Sequence, residues 1–280
     1  MKIVFSYDCE GNWGCVDWDK PYLEDSQSEK LASAYNTICS LHEKYNIPAT
    51  FGFVGMYVTS PEERKKIINN NYVDFAKKYP NMLSVGGCWE GEENLDRVTS
   101  NSSLFEVASH SLTHITFSEL SEELIQNEIT LSKEILKAKT GSEIKSFIYP
   151  RNVIKGKTLI ENAFSNYRKT SANTRYLRIK DLLRTVSGIS FHPEKEVSDF
   201  IFWKGGARKK FNDLGWKKLW RKRPSPKGST KLSDHTIHIW SHPHNFVTDE
   251  NVEKRLEWLL SNLSKNRSDH DFLTLSQLSK

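Results

Sequence analysis

The sequence has no apolar run approaching the roughly 18 residues a membrane-spanning helix needs, so none is expected. Cysteine is scarce: four residues, at 9, 15, 39 and 88, and no Cys-x-x-Cys pair, which argues against a structural zinc knuckle. The opening residues, MKIVFSYDCEG, hold one lysine and then carboxylates, without the apolar core and cleavage site of a secretory leader. The expectation is a cytoplasmic protein with free thiols. Internal repeats and low-complexity linkers are also missing.

What is present is enough for a folded catalytic body. Over 280 residues, 37% hydrophobic and 11% aromatic content supports a substantial core and excludes disorder for most of the chain. The net charge of +5 is local in origin. Residues 204–231 hold eleven of the 40 Lys/Arg and one of the 35 acidic residues, leaving 29 bases against 34 acids elsewhere. Within that segment Trp216, Leu219 and Trp220 interleave with five cations, Lys217, Lys218, Arg221, Lys222 and Arg223, and the three apolar residues are expected on one side of a short helix with charge opposite. This pattern suits peripheral contact with an anionic membrane, or with a phosphate-bearing substrate; a solvated loop is the plain alternative. No nucleic-acid motif accompanies the charge, so no nucleic-acid partner is expected.

Strand-like and helix-like segments alternate. Lys2–Tyr7, Ala49–Val54, Leu104–Ala108, Ser146–Tyr149, Thr236–Trp240 and Phe272–Leu275 read as strands. Ser28 is expected to cap a helix carrying Leu31, Ala34, Ile38, Leu41 and Tyr45 on one stripe, stopped before Pro48. Ser121 and Gly141 bracket a second, with Leu124, Ile125, Ile129, Ile135 and Leu136 inward. Asp249 starts a last helix with Val252, Leu256, Leu259, Leu260 and Leu263. Alternation of this length implies a parallel sheet, open or closed into a barrel.

Polar clusters follow the strands: Asp8 and Glu10, Ser109–His114, Pro150–Asn152, and Ser241–Asn245. Groups beyond the C-terminal ends of parallel strands converge on one face, where active sites lie. Asp8 and Glu10, two apart, share a face if the strand persists; a solvated turn beside Gly11 is the alternative reading. His110 and His114, four apart, fall on one side of a turn. Two imidazoles and one carboxylate make a common catalytic metal set, although such a His pair is also found in capping or core roles. The zinc-protease pattern fails because Ser, not Glu, follows His110. His242 suits protonation of a leaving amine, and Arg151 suits charge-pairing with a carboxylate. His238 and His244 read as structural.

Taken in order, these stretches resemble the polysaccharide deacetylase superfamily (NodB-homology, carbohydrate esterase family 4). SYDCEG resembles its first motif, IPATFGFVG its second strand, and SHSLTH with SELSEELIQNEI its histidine motif and following helix. FIYPRN resembles the third motif, IHIWSHPHNF the last, and FLTLSQL the final strand. Cys9 separates Asp8 from Glu10 where the commonest first motif has adjacent aspartates, and Arg151 follows Pro150 instead of preceding it.

The resemblance implies an α/β fold, a distorted (β/α) barrel of about seven parallel strands, as a single catalytic domain over 1–280 with insertions at about 56–104 and 155–235. It implies a metal-dependent N-deacetylase; the missing leader and the basic aromatic segment point to an N-acetylated (or N-formylated) sugar intermediate of surface-polysaccharide biosynthesis, soluble or nucleotide- or lipid-linked, as its substrate. A deformylase, another amide hydrolase, or an inactive glycan-binding barrel are the alternatives. Asp8 would be the general base, His242 the general acid and Arg151 the arginine orienting the base. Glu10, His110 and His114 would bind a divalent metal, zinc by preference. Trp13, Trp89, Tyr149, Asn152 and Trp240 are expected to contact substrate.

Overall fold

In β1, Lys2–Cys9, apolar residues are nearly continuous, and seven of its eight residues are buried. Such a strand belongs in the middle of a parallel sheet covered on both faces. The computed structural model, which describes residues 2–168, 236–249, 251–265 and 267–279, places it there. Among the described residues its sheet has seven strands: β1, β2 (Ala49–Phe53), β3 (Phe105–Ser109), β4 (Ser146–Ile148), β5 (Asn166–Arg168), β6 (Thr236–Ser241) and β7 (Asp271–Leu273). The order is β5-β4-β3-β2-β1-β6, every pairing parallel. Because β6 occupies one edge of β1 from Lys2 to Tyr7, β7 pairs with Lys2–Val4 on the other edge, below the point where β2 takes over at Ser6.

The sheet curls into a half-barrel. Arg168, at the end of edge strand β5, reaches Asp8 on β1, and its guanidinium lies 4.7 Å from the ring of Trp240 on the opposite edge strand. The expected α/β fold with about seven parallel strands is thus present, its sheet curled into a half-barrel.

Helices cover the outer face. α1 (Ser28–Tyr45) buries Leu31, Ala34, Tyr35, Ile38 and Leu41. Ser28 is its first residue and not its cap; the chain enters through a 3-10 turn, Asp25–Gln27, closed by a capping box between Glu24 and Gln27. α2 (Pro61–Asn71), α3 (Val73–Lys78) and α4 (Glu92–Thr99) fill the stretch expected to be an insertion over 56–104. That stretch is no surface excursion, since Met82, Trp89, Leu95 and Val98 are buried in the main core. α5 (Glu122–Thr140) starts at Ser121, whose Oγ accepts from the Leu124 N–H at 3.2 Å, and ends at left-handed Gly141. Beyond α6 (Lys157–Ala163), the short α7 (His244–Thr248) precedes α8 (Val252–Lys265). The expected stripe of α8 is buried, and Glu257 on its surface pairs with Lys44 of α1. The basic segment 204–231 and most of the expected insertion 155–235 lie outside the described residues.

Candidate metal centre

Strand register brings the polar clusters to one level. Asp8 lies opposite Gly52, Gly52 opposite Ala108, Ile148 opposite Arg168, and Tyr7 opposite Ser241. Asp8 therefore stands at the C-terminal rim beside the turns that follow β3, β5 and β6.

Glu10 arrives by a turn and not by strand periodicity. β1 ends at Cys9, and Gly11 takes a left-handed conformation (φ 50°) at the start of a 3-10 turn, Gly11–Cys15. The Glu10 carboxylate folds back onto Gly14, where a Cβ would sit 2.1 Å from Oε1, so glycine alone leaves room for it. Both carboxylates are buried, which disposes of the solvated-turn alternative.

The histidine turn begins as β3 ends. The His110 N–H donates to Phe53 O at 2.8 Å. Ser111 (φ 68°) and His114 (φ 63°) both adopt left-handed backbone, and the Ser111 Oγ accepts from the His114 N–H at 3.1 Å. The two imidazoles meet edge to face at 4.8 Å. His110 Nδ1 lies 2.9 Å from the Ile148 carbonyl. A carbonyl only accepts, so Nδ1 carries the proton and Nε2 presents its lone pair to the site.

Around Glu10 the distances are short. His114 Nε2 is 2.9 Å and His110 Nε2 3.4 Å from Oε2, while His242 Nε2 is 3.6 Å and His244 Nδ1 3.9 Å from Oε1. Donor atoms of Glu10, His110 and His114 all lie within 4.8 Å of one another. Two imidazoles, one of them fixed in the ligating tautomer, and one buried carboxylate fit a divalent metal while leaving positions open.

Asp8 stands beside this set, 3.9 Å from His110 Nε2 and 3.8 Å from His242 Nε2. Arg168 grips it in a fork, Nη1 to Oδ1 at 2.6 Å and Nη2 to Oδ2 at 2.7 Å. Burial pushes the Asp8 carboxyl up, but Arg168 and His110 outweigh it, and the pKa falls to about 2. For Glu10 burial likewise opposes ionisation, and His114 and His242 carry the net shift well below the usual range. Burial lowers His114, and pushes His244 and His238 down to about 3.

Several expected residues sit elsewhere. Arg151 is not the arginine at Asp8. It has left-handed backbone (φ 52°), and its guanidinium pairs with Asp17 and donates to Gly14 O at 3.3 Å. Arg168 takes the place at Asp8, and Asn152 supports it by accepting from Nη2 at 3.0 Å. Trp13 and Trp89 are packed inside, edge to face at 5.9 Å, with Trp13 Nε1 donating to Trp89 O. Buried Arg64 fixes that pair: it stacks over Trp13 and donates to the carbonyls of Thr59, Ser84 and Trp89. Tyr149 is fully buried against Phe117 and Phe147. These three do not face the mouth, whereas Asn152 and Trp240 are half-buried beside Arg168. His238 is interior, 2.8 Å from Ser6 Oγ, as a structural histidine. His244, read as structural, instead borders the site, stacked between His242 (4.7 Å) and Tyr22 (4.8 Å).

A curled parallel sheet thus carries a buried Glu/His/His set and an arginine-clamped aspartate at its C-terminal rim. The sequence profile described as Polysaccharide deacetylase matches residues 22–169, just over half of the chain, and the chain belongs to that family. The match includes His110, His114 and Arg168; Asp8 and Glu10 precede it and His242 follows it. Among solved structures, a putative polysaccharide deacetylase from Mycobacterium smegmatis superposes with a TM-score of 0.60 at 11% identity, covering 99% of this chain and 88% of that one. A mutant of a CE4 family pseudoenzyme from Bacillus anthracis, with restored enzymatic activity, gives 0.51 at 13% identity, covering 100% and 67%. At such identities the likeness is one of fold. No curated protein matches the chain.

Proposed function

We propose that this protein is a metal-dependent N-deacetylase of an N-acetylated amino sugar destined for a surface polysaccharide. The observation that carries this reading is the buried trio Glu10, His110 and His114 with Asp8 held ionised at its side.

In this reading Glu10, His110 and His114 hold a divalent metal, zinc by their donor types. When bound, the metal polarises the acyl oxygen and acidifies the attacking water. Asp8 takes the proton of that water as its oxygen bonds to the acyl carbon. Arg168 keeps the Asp8 carboxylate aimed and ionised until it takes that proton. His242 gives a proton to the amide nitrogen as the C–N bond breaks, so acetate and a free amino sugar leave together. Asp8 Oδ2 lies 3.8 Å from His242 Nε2, and one water across that gap carries the proton from Asp8 to His242, restoring both for the next turnover.

The rim supports a sugar ligand. Trp18 is half exposed, edge to face with Tyr22 at 5.1 Å, and Tyr22 stacks on His244. Arg151 lies 5.8 Å from the Trp18 ring. An aromatic face beside a cation suits the C–H face of a pyranose bearing an anionic group. The basic composition of 204–231 supports a phosphate-bearing, nucleotide- or lipid-linked donor.

The test is product release from N-acetylated amino sugars offered free, nucleotide-linked and lipid-linked, with N-formyl analogues beside them. Acetate release that depends on added zinc and disappears in Asp8→Asn is expected. Formate release alone would move the reading to a deformylase, and release from none of the panel would overturn the proposal.

A further inference from the structure

Glu128 takes no part in the chemistry above, yet it is wholly buried on α5, fifteen residues from the histidine turn it touches. Its Oε2 accepts the backbone N–H of Leu112 at 2.8 Å and of Thr113 at 2.9 Å, and its Oε1 accepts the Thr113 hydroxyl at 2.6 Å. The Thr113 Oγ1 in turn accepts the Ile115 N–H at 3.3 Å. One carboxylate thus satisfies the middle of the turn whose ends are His110 and His114.

That turn needs holding. Ser111 and His114 both have positive φ without being glycine, a conformation that side chains resist and that persists only where neighbours over-determine it. The Ser111 and Leu112 carbonyls are tied to the N–H groups of Gly55 and Met56. The N–H groups of Leu112 and Thr113 point the other way and, without Glu128, would be buried donors with nothing to bond.

We infer that Glu128 is a positioning residue for the metal centre: through Thr113 it fixes the left-handed backbone at His114 and so the placement of His114 Nε2 beside Glu10. The inference rests on the metal reading of Glu10, His110 and His114, but its backbone consequence is readable without metal. Partners that orient ligands in this way change metal affinity when removed.

Two measurements test it. Zinc affinity is read by competition with a chromophoric chelator for wild type, Glu128→Ala, Glu128→Gln, Thr113→Val and Ile129→Ala. Amide hydrogen exchange at Leu112 and Thr113 is read on metal-free protein. Glu128→Ala is expected to weaken zinc binding roughly 10- to 100-fold and to lose protection at both amides. Glu128→Gln keeps an acceptor oxygen and is expected to stay within about threefold of wild type. Ile129→Ala creates a cavity on the same buried helix face without touching the turn, and is expected to lower stability but leave zinc affinity unchanged. Thr113→Val removes a single bond and is expected to weaken zinc several-fold, which serves if Glu128→Ala does not fold. The inference is overturned if Glu128→Ala, or Thr113→Val in its stead, binds zinc as wild type does, or if Ile129→Ala weakens zinc equally. Should wild type bind no zinc, the metal reading fails; unchanged exchange at Leu112 and Thr113 in Glu128→Ala would then overturn the brace separately.

Discussion

Arg168 grips both oxygens of Asp8, at 2.6 and 2.7 Å, across 160 residues of sequence and from the opposite side of the curled sheet. Both side chains are buried, so neither charge has water to fall back on. Removing the guanidinium alone, as in Arg168→Met, leaves an uncompensated buried carboxylate and should cost about 3–5 kcal/mol in urea unfolding. Adding Asp8→Asn to that background should return most of the loss, because the stranded charge is gone. A cost under about 1 kcal/mol for Arg168→Met, or no recovery in the double variant, would show that the clamp does not hold this part of the fold.

Arg151 should behave differently. Its pair with Asp17 lies at the rim, with the arginine side chain 30% exposed. Arg151→Ala should cost no more than about 1 kcal/mol and leave zinc affinity as in wild type. A loss matching that of Arg168→Met would return Arg151 to the role expected from the sequence.

The contrast between these arginines shows what the sequence carried and what it hid. The strands with apolar runs, the caps at Ser121 and Gly141, and the placing of Asp8, Glu10, His110, His114 and His242 at strand ends all follow from periodicity and order. β5 does not: three residues, Asn-Tyr-Arg, have neither an apolar run nor alternation, so Arg168 went unseen and the nearby Arg151 drew its role. Trp13 and Trp89 stand near polar motifs and read as ligand contacts. Arg64, buried far along the chain, draws them inward, and pairing of that kind leaves no local trace. Glu128 did leave one. It falls on the stripe of Ile125, Ile129, Ser132 and Leu136, where a charged residue in an inward position signals a buried partner.

Stability should fall with pH below neutrality before any carboxylate matters. His42 donates from Nδ1 to Ile47 O and accepts the Tyr7 hydroxyl at Nε2, both at 2.8 Å, and burial lowers its pKa to about 4. His238 is lowered to about 3 by burial and by Arg168. The unfolded histidines titrate near 6.5, so below that pH the unfolded chain takes up protons that the native chain refuses. Each histidine then removes up to about 1.4 kcal/mol per pH unit, until its folded pKa is reached. Asp8, with its folded pKa near 2, adds loss only below about pH 4. Urea unfolding at pH 6.5, 5.5 and 4.5 should show a steep decline that flattens in His42→Gln/His238→Gln. A flat profile in wild type would contradict the buried neutral state of these rings.

Asp8→Asn separates binding from chemistry. The amide keeps the shape of the site but cannot take a proton, so zinc content should match wild type while acetate release falls about 10²- to 10⁴-fold. Full activity in this variant would remove Asp8 as the base, and loss of zinc would make it a ligand instead.

The central claim is that Glu10, His110 and His114 together hold a metal, and elemental analysis of the purified protein tests it most directly. After zinc loading and dialysis, wild type should retain close to one zinc per chain, and Glu10→Ala, His110→Ala and His114→Ala should each retain almost none while remaining folded. Near-zero zinc in wild type, or zinc unchanged in all three variants, would contradict the account.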